Sequence, residues 1–247
     1  MRCAAAVLAI ALLALPASAP ARAQALVFDL SSHLIAITTG FSGTELLLFG
    51  ATEGEGDVAV VLRGPETAPV VRKKSRVAGI WINTERAQFN GVPAFYRVAA
   101  SRPVEQVAPP PVRARHQIGL ENIRMTPPTD ARPEVVAAFR AGLLRNQEAR
   151  GLFSSEVGRV TFLGPRLFRT RVFLPANVPP GAYTAEVLLL RNGQVIAAQT
   201  TPMFVSKIGL GAEVYDFAHR HAALYGILAI LLAAASGWGA SVAFRKA

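Results

Sequence analysis

The chain has 247 residues with 26 basic and 16 acidic side chains, which give a formal net charge of +10. Five of the basic residues flank the two terminal apolar segments, so the body between them carries only about +5 and is not expected to bind nucleic acid. The one cysteine, Cys3, lies just before the N-terminal apolar run and is expected to be removed with it, which excludes disulfides, a thiol nucleophile and cysteine metal ligands.

Residues 1–23 have the pattern of a secretory signal peptide. Arg2 precedes an apolar run from Ala4 to Leu15, and Ala21-Arg22-Ala23 has the small-x-small pattern of a cleavage site. The run is shorter than the roughly 20 residues of a spanning helix, so an uncleaved anchor is the weaker alternative. Two further triplets are alternative cleavage sites: Ala17–Ala19 and Ala23–Ala25.

Residues 24–206 predict a mainly β periplasmic domain. Short apolar runs recur about every ten residues between Gly, Pro, Asn and Ser, a spacing typical of an immunoglobulin-like antiparallel β-sandwich. Trp81 could fill the core position that such a sandwich often gives to a tryptophan. The predicted strands are Leu26–Leu30, Leu34–Thr38, Glu45–Phe49, Val58–Leu62, Val70–Arg72, Ile80–Ile82, Ala94–Ala99, Arg159–Leu163, Leu167–Leu174, Tyr183–Arg191 and Gln194–Val205.

Two segments interrupt the predicted strands. Residues 103–111 contain three successive prolines and predict an exposed connector with polyproline conformation. Residues from about 130 to 148 predict an inserted amphipathic helix, which begins near Asp130 and Pro133. Its apolar residues at helical spacing are Val136, Phe139 and Leu143. We expect this helix to lie on the edge of the sandwich, and a partner-binding helix is the alternative.

Asn192-Gly193 predicts a two-residue type I′ hairpin turn, because both positions of that turn need a positive φ. The turn implies a register in which the numbers of facing residues sum to 385, so that Leu189 faces Ile196 and Glu186 faces Gln199. Upstream of it, Pro179-Pro180-Gly181 and Tyr183 resemble a tyrosine corner of immunoglobulin-like domains.

The C-terminus predicts a juxtamembrane segment at 207–221, a transmembrane helix at 222–244 and a cytoplasmic tail at 245–247. The helix has 23 residues without a charge, and at about 1.5 Å each they span roughly 34 Å, enough to cross a bilayer core of about 30 Å. Together with the signal peptide, this predicts a single-pass inner-membrane protein whose body lies in the periplasm. Arg245 and Lys246 agree with the positive-inside rule.

Two groups of residues are candidate interaction sites. Small residues at four-residue spacing in the membrane helix favour close packing against another helix, either of a partner or of a second copy: Ala229, Ala233, Gly237 and Ser241. A basic run beside an aromatic residue is a candidate contact for an anionic ligand. The alternative is a solvated loop or edge strand without a binding role. Its members are Arg72, Lys73, Lys74, Arg76 and Trp81.

The sequence lacks the usual signatures of catalysis or cofactor binding: it has no P-loop, no G-x-S-x-G and no H-E-x-x-H. His219 and His221 could share a metal only on an extended segment, since positions i and i+2 of a helix point apart. Glu53, Glu55 and Asp57 lie in a Gly-rich turn that predicts solvated carboxylates more strongly than a calcium site. We therefore expect no cofactor, no metal and no enzymatic activity.

Several short motifs, taken in order, resemble the family of putative transmembrane proteins of alphaproteobacteria. The resemblance covers nearly the whole processed chain and implies an exported domain with one C-terminal membrane helix and a permease as the kind of partner. It supplies no catalytic residues. The motifs are Gly64-Pro65, Val71–Lys74, Gly79–Asn83, Val92–Pro103, Leu167–Arg169, Leu174–Pro179, Tyr225-Gly226 and Gly237-Trp238.

These features predict a membrane-anchored accessory or scaffolding protein that binds a membrane-protein partner and the lipid bilayer. The alternative is a receptor-like module that binds an envelope ligand through the basic run near Trp81. A metal carrier or enzyme is the third hypothesis. Co-purification with a membrane protein would favour the first, and an isolated monomer with bound ligand the second.

Overall fold

The computed structural model describes residues 25–128 and 132–245. The predicted signal peptide, the predicted helix start at Asp130 and tail residues 246 and 247 lie outside these residues. The described strands are β1 (Leu26–Leu30), β2 (Leu34–Ile37), β3 (Gly43–Thr52), β4 (Asp57–Arg63), β5 (Glu66–Thr67), β6 (Val70–Val77), β7 (Ile80–Gln88), β8 (Val92–Pro93), β9 (Tyr96–Ala100), β10 (Gly158–Arg159), β11 (Thr161–Phe162), β12 (Leu167–Pro175), β13 (Gly181–Arg191) and β14 (Gln194–Lys207).

The strands form a four-stranded sheet in the order β1-β3-β12-β11 and a six-stranded sheet in the order β10-β9-β4-β13-β14-β2. Two smaller sheets pair β5 with β8 and β6 with β7. The mainly β prediction is confirmed, whereas the immunoglobulin-like topology stays a prediction. Two edge pairs, β14–β2 and β10–β9, are parallel rather than antiparallel as predicted. Such pairs need long connections, and here their members are distant in sequence.

The core contains inward-facing residues of both large sheets. Strand β12 alternates strictly between exposed and buried residues, as expected for a strand with one solvated face. In contrast, all five residues from Val58 to Leu62 in β4 are buried, so the central strand of the six-stranded sheet is covered on both faces. Residues 104–107, whose valines are buried, contact β4 and contribute to this cover.

The helices are α1 (Val104–Val107), α2 (Pro110–His116), a 3₁₀ turn (Leu120–Asn122), α3 (Pro133–Ala149), α4 (Leu210–Arg220) and α5 (Ala222–Phe244). Helix α3 confirms the predicted insertion and buries Phe139, Leu143 and Gln147. The exposed connector predicted at 103–111 is wrong. Pro110 occupies the first turn of α2, where its fixed φ suits a helix, and the apolar residues of α1 are buried against the body.

The β13–β14 hairpin has the predicted turn, because Asn192 and Gly193 have φ values of 51° and 75°. Leu190 pairs with Val195 as predicted, but the register shifts after this pair. Leu189 therefore faces Ala197 and Glu186 faces Thr200, since Ile196 is an extra residue in a β-bulge. The turn alone could not predict this bulge. The Tyr183 hydroxyl donates a hydrogen bond to the Pro179 carbonyl oxygen at 2.6 Å.

Candidate functional site

Strands β6 and β7 form an exposed hairpin separate from the two large sheets. It closes through Ala78 and Gly79, whose φ values of 49° and 85° match a type I′ turn, and Val77 pairs with Ile80 beside the turn. At the other end Val71 pairs with Ala87, and Ala87 and Phe89 are buried in the core. The hairpin is thus fixed at its base, and its tip is solvent-exposed.

One face of the hairpin is basic. Directly opposite residues of antiparallel strands point to the same face, and the register pairs Arg72 with Arg86, Lys74 with Asn83 and Arg76 with Trp81. All of these side chains are exposed. Across residues 70–88, five basic residues and one acidic residue give a net charge of +4. This hairpin therefore carries most of the charge excess of the body.

The opposite face of the hairpin is neutral and apolar towards the tip. Lys73 is paired with Glu85 at 3.0 Å, and the hydroxyls of Ser75 and Thr84 lie 2.9 Å apart. Closer to the turn the side chains on both strands are large and apolar. With Trp81 of the basic face they form an exposed apolar tip, with exposed fractions of 48% for Val77, 68% for Ile80, 67% for Trp81 and 45% for Ile82.

The predicted basic site is partly assembled by this geometry. Arg72, Lys74, Arg76 and Trp81 share a face, whereas Lys73 lies on the other face. The prediction that Trp81 fills the core is wrong, because Trp81 is exposed near the tip of β7, in a two-stranded sheet that is separate from the two large sheets. Sequence reasoning missed Arg86, which joins the basic face only through the hairpin register.

Helix α5 presents the predicted small residues on one side. Ala229, Ala233, Gly237 and Ser241 are exposed, and at 100° per residue they cover about 120° of the helix surface. No part of the most apolar stretch of α5 is buried against the body. The row is therefore available to a neighbouring helix.

His219 and His221 do not form a pair. His219 stacks on Tyr215 with ring centroids 4.0 Å apart, and its Nδ1 lies 2.8 Å from the Tyr215 carbonyl oxygen. His221 lies at the break between α4 and α5, with its ring 5.6 Å from that of Phe217. Among residues 25–128 and 132–245, no three His, Cys, Asp or Glu side chains are grouped so as to hold a metal ion.

An ion cluster of three side chains joins α2 to the six-stranded sheet. Glu186 accepts a hydrogen bond from Arg63 and lies 2.9 Å from Nδ1 of His116, and the three side chains are only 13–21% exposed. Next to the cluster, the Tyr96 hydroxyl donates to the Gln117 carbonyl oxygen at 2.5 Å and accepts from the Gly119 amide at 2.9 Å. Burial raises the pKa of Tyr96, so the hydroxyl stays protonated. These groups attach residues 116–119 to the six-stranded sheet, and none of them is a free nucleophile.

A cleft of about 240 Å³ lies beside β9 and β12. Its guanidinium groups are engaged by the protein: Arg97 donates to the Gly151 carbonyl oxygen at 2.9 Å, and Arg171 lies 3.8 Å from Glu45. Burial lowers the pKa of Arg97. The cleft therefore does not present a converging set of free polar groups to a ligand.

Asp57, in the acidic turn that we weighed as a calcium site, is bound to other side chains. Its Oδ1 accepts hydrogen bonds from Arg102 at 2.8 Å and from Ser101 at 3.0 Å. The hydrogen bond from Arg102 lowers the pKa of Asp57 against the opposing effect of partial burial. This arrangement ties the start of β4 to the end of β9, and the carboxylate is not free to bind a cation.

We expect Asp57→Asn to flatten the acid dependence of stability. Because the pKa of Asp57 is lower in the folded chain, its contribution is complete above the unfolded-state value of about 3.9 and is lost as the pH falls through the folded value. Thermal unfolding measured between neutral pH and pH 2 should show a shallower loss of Tm below about pH 4 in the variant than in the wild type. Parallel curves of Tm against pH for the variant and the wild type would contradict the lowered pKa of Asp57.

A mainly β body followed by one helix long and apolar enough to cross a bilayer defines a membrane-anchored β protein. The model of the family described as "Putative transmembrane protein (Alph_Pro_TM)" matches residues 25–246, and the chain belongs to that family. The family resemblance seen in the sequence is thereby confirmed.

The other comparisons add no functional information. No curated protein shows significant similarity to the chain. A solved family 123 glycoside hydrolase from Clostridium perfringens aligns with 76% of this chain and 28% of its own, at 9% identity and a TM-score of 0.23. The chain thus spans about a quarter of that enzyme, and a similarity of this size supports no argument about fold or activity.

Proposed function

We propose that this protein is a membrane-anchored accessory or scaffolding protein without catalysis of its own, which binds a membrane-protein partner such as a permease. The observation that supports this proposal is the exposure of α5 and the row of small residues on one of its sides. Its apolar stretch is unburied, and one side bears small residues at four-residue spacing, from Ala229 to Ser241. In a bilayer such a side favours close helix–helix packing, because small side chains let two backbones approach.

In this proposal the body lies on the periplasmic side of the inner membrane. The link between the body and the span supports a role close to the bilayer surface. Only residues 208–221 separate β14 from α5, and α4, with eleven of them, is about 16 Å long. A body held so near the membrane can contact the exposed loops of the protein that α5 binds.

The test is co-purification of the tagged full chain from native membranes in a mild detergent. The test variant replaces four small residues of α5 with leucine: Ala229, Ala233, Gly237 and Ser241. It is expected to abolish recovery of a stoichiometric membrane-protein partner, because the added bulk prevents close approach of the two helices. The matched control is Ala235→Leu with Gly239→Leu, which lie on the opposite side of α5 and should preserve recovery. Protease added to spheroplasts should digest the body, and protection of the body would contradict the periplasmic orientation.

Equal recovery with both variants would refute partner binding through the small-residue side. The receptor-like alternative is favoured by one observation, the exposed basic hairpin. An isolated monomer that retains an anionic envelope ligand would support that alternative instead. Self-association is distinguished by mass, since a second copy would appear as a dimer of this chain alone.

A further inference from the structure

The β6–β7 hairpin combines a basic face with an exposed apolar tip, and an anionic bilayer can bind both. Its basic face bears Arg72, Lys74, Arg76 and Arg86, and none of these appears among the ion pairs of the described residues. Its tip exposes Val77, Ile80, Trp81 and Ile82. An anionic bilayer offers phosphates to the first group and an apolar interior just beneath them to the second.

We propose that the β6–β7 hairpin inserts its apolar tip into the anionic surface of the same bilayer that α5 crosses. Trp81 and Ile80 lie at the boundary between headgroups and acyl chains, a depth that tryptophan prefers. Arg76 and Lys74, one and three residues before Val77, reach the lipid phosphates with their long side chains. This inference goes beyond partner binding and does not depend on it.

The dimensions of the hairpin fit this arrangement. Strand β6 has eight residues and at about 3.3 Å each is roughly 26 Å long, longer than α4, the helix of about 16 Å in the link between the body and α5. The body is therefore anchored within reach of the bilayer, and the hairpin meets the lipid surface as an intramolecular event. Tethering of this kind makes even a weak lipid contact populated.

Two other occupants fit the hairpin less well. A second copy of the hairpin would bring two surfaces of net charge +4 together, and like charges on edge strands oppose such pairing. A soluble anionic polymer would neutralise the basic face but would leave Ile80 and Trp81 in water. The bilayer is the occupant that accounts for both the charge and the exposed apolar tip.

Trp81 itself provides the probe. The chain has two tryptophans, so the full chain with Trp238→Phe reports on Trp81 alone. This protein is reconstituted into vesicles of phosphatidylcholine with or without phosphatidylglycerol, each with brominated acyl chains. In the anionic vesicles we expect a blue-shifted emission, quenching by the brominated chains and loss of quenching by aqueous iodide. In phosphatidylcholine alone these changes should be much smaller.

The decisive variant replaces Arg72, Lys74, Arg76 and Arg86 with glutamine in the same background. It should lose most of the bromolipid quenching and regain access to iodide. The matched control removes the same charge from exposed arginines elsewhere: Arg132, Arg145, Arg166 and Arg169. It should behave as the parent does. Circular dichroism checks that both variants keep the β fold.

Equal iodide quenching of Trp81 in the two kinds of vesicle would overturn the proposal. Protection of Trp81 only when a partner protein is reconstituted with the chain would also overturn it, in favour of a protein contact. The leucine variants of α5 should leave the Trp81 signal unchanged. Failure of partner binding is therefore distinguishable from failure of lipid binding.

Discussion

Phe89→Ala is expected to lower the free energy of unfolding by about 3–5 kcal/mol, the range for truncation of a well-packed core phenylalanine. Phe89 is the residue that follows the end of β7 and is 1% exposed. Its backbone amide donates a hydrogen bond to the Pro69 carbonyl oxygen at 3.1 Å. It therefore closes the base of the β6–β7 hairpin against the core. Urea unfolding of the full chain in detergent, followed by far-ultraviolet circular dichroism, measures the change.

The matched control is Trp81→Ala, near the other end of β7. Trp81 is 67% exposed, and we expect its loss to change the free energy of unfolding by no more than about 0.5 kcal/mol. A large effect of Trp81→Ala would mean that the tip packs on the body, contrary to its exposure. Equal effects of the two substitutions would refute the division of the hairpin into a structural base and a free tip.

Hydrogen exchange adds a local readout of the same idea. In Phe89→Ala the amides of residues 70–88 should exchange faster, because the hairpin loses the buried contact that fixes its base. In Trp81→Ala their exchange should be unchanged. The orientation of the basic face thus depends on a core residue eight positions from the tryptophan at the tip.

Features fixed by neighbouring residues were predictable from the sequence. Asn192-Gly193 determines its turn through backbone conformation alone, and the apolar spacing of α3 reports the face that it buries. The length and apolarity of α5 likewise follow from composition. In each case the residues that predict the element are the residues that form it.

Features that depend on distant segments were not predictable. Residues 103–111 looked like an exposed connector because the sheet that buries Val104 and Val107 of α1 is formed by strands far away in sequence. The basic face was visible only in part. The turn at Ala78-Gly79 alone would place Arg86 opposite Val71, on the other face, and Arg86 joins the basic face because the register shifts between Lys73 and Lys74. The ability of residues 73–77 to continue a strand despite their charge was also missed, because β6 has no buried face towards its tip.

The ion cluster of Arg63, His116 and Glu186 is the clearest case of such a long-range feature. His116 is 53 residues from Arg63 and 70 residues from Glu186. None of the three belongs to a recognisable motif. Glu186 was placed opposite Gln199 by the hairpin register, but its neighbours across β13 include Val61 of β4, which brings it near Arg63. Only the folded sheet creates this contact.

Glu186→Ala is expected to destabilise the body by about 2–3 kcal/mol, less than the roughly 3–5 kcal/mol for breaking a fully buried ion pair, because the three side chains are partly exposed. The substitution leaves Arg63 and the His116 ring without their carboxylate partner, in a region where the three side chains are 13–21% exposed. Urea unfolding of the full chain in detergent measures the loss. Proteolysis should at the same time become faster within residues 110–122, because α2 loses the contact of His116 with the sheet and keeps only the hydrogen bonds to Arg63 and Tyr96.

Glu45→Ala is the matched control, since Glu45 also faces an arginine across a sheet. Glu45 and Arg171 are 60–65% exposed and 3.8 Å apart, so water screens the pair and its loss should cost less than about 0.5 kcal/mol. If Glu186→Ala cost no more than Glu45→Ala, the buried cluster would contribute nothing beyond a surface pair. Replacing Arg63 with Met and Glu186 with Leu together should restore much of the stability, because the pair is then removed without leaving a buried charge on either side.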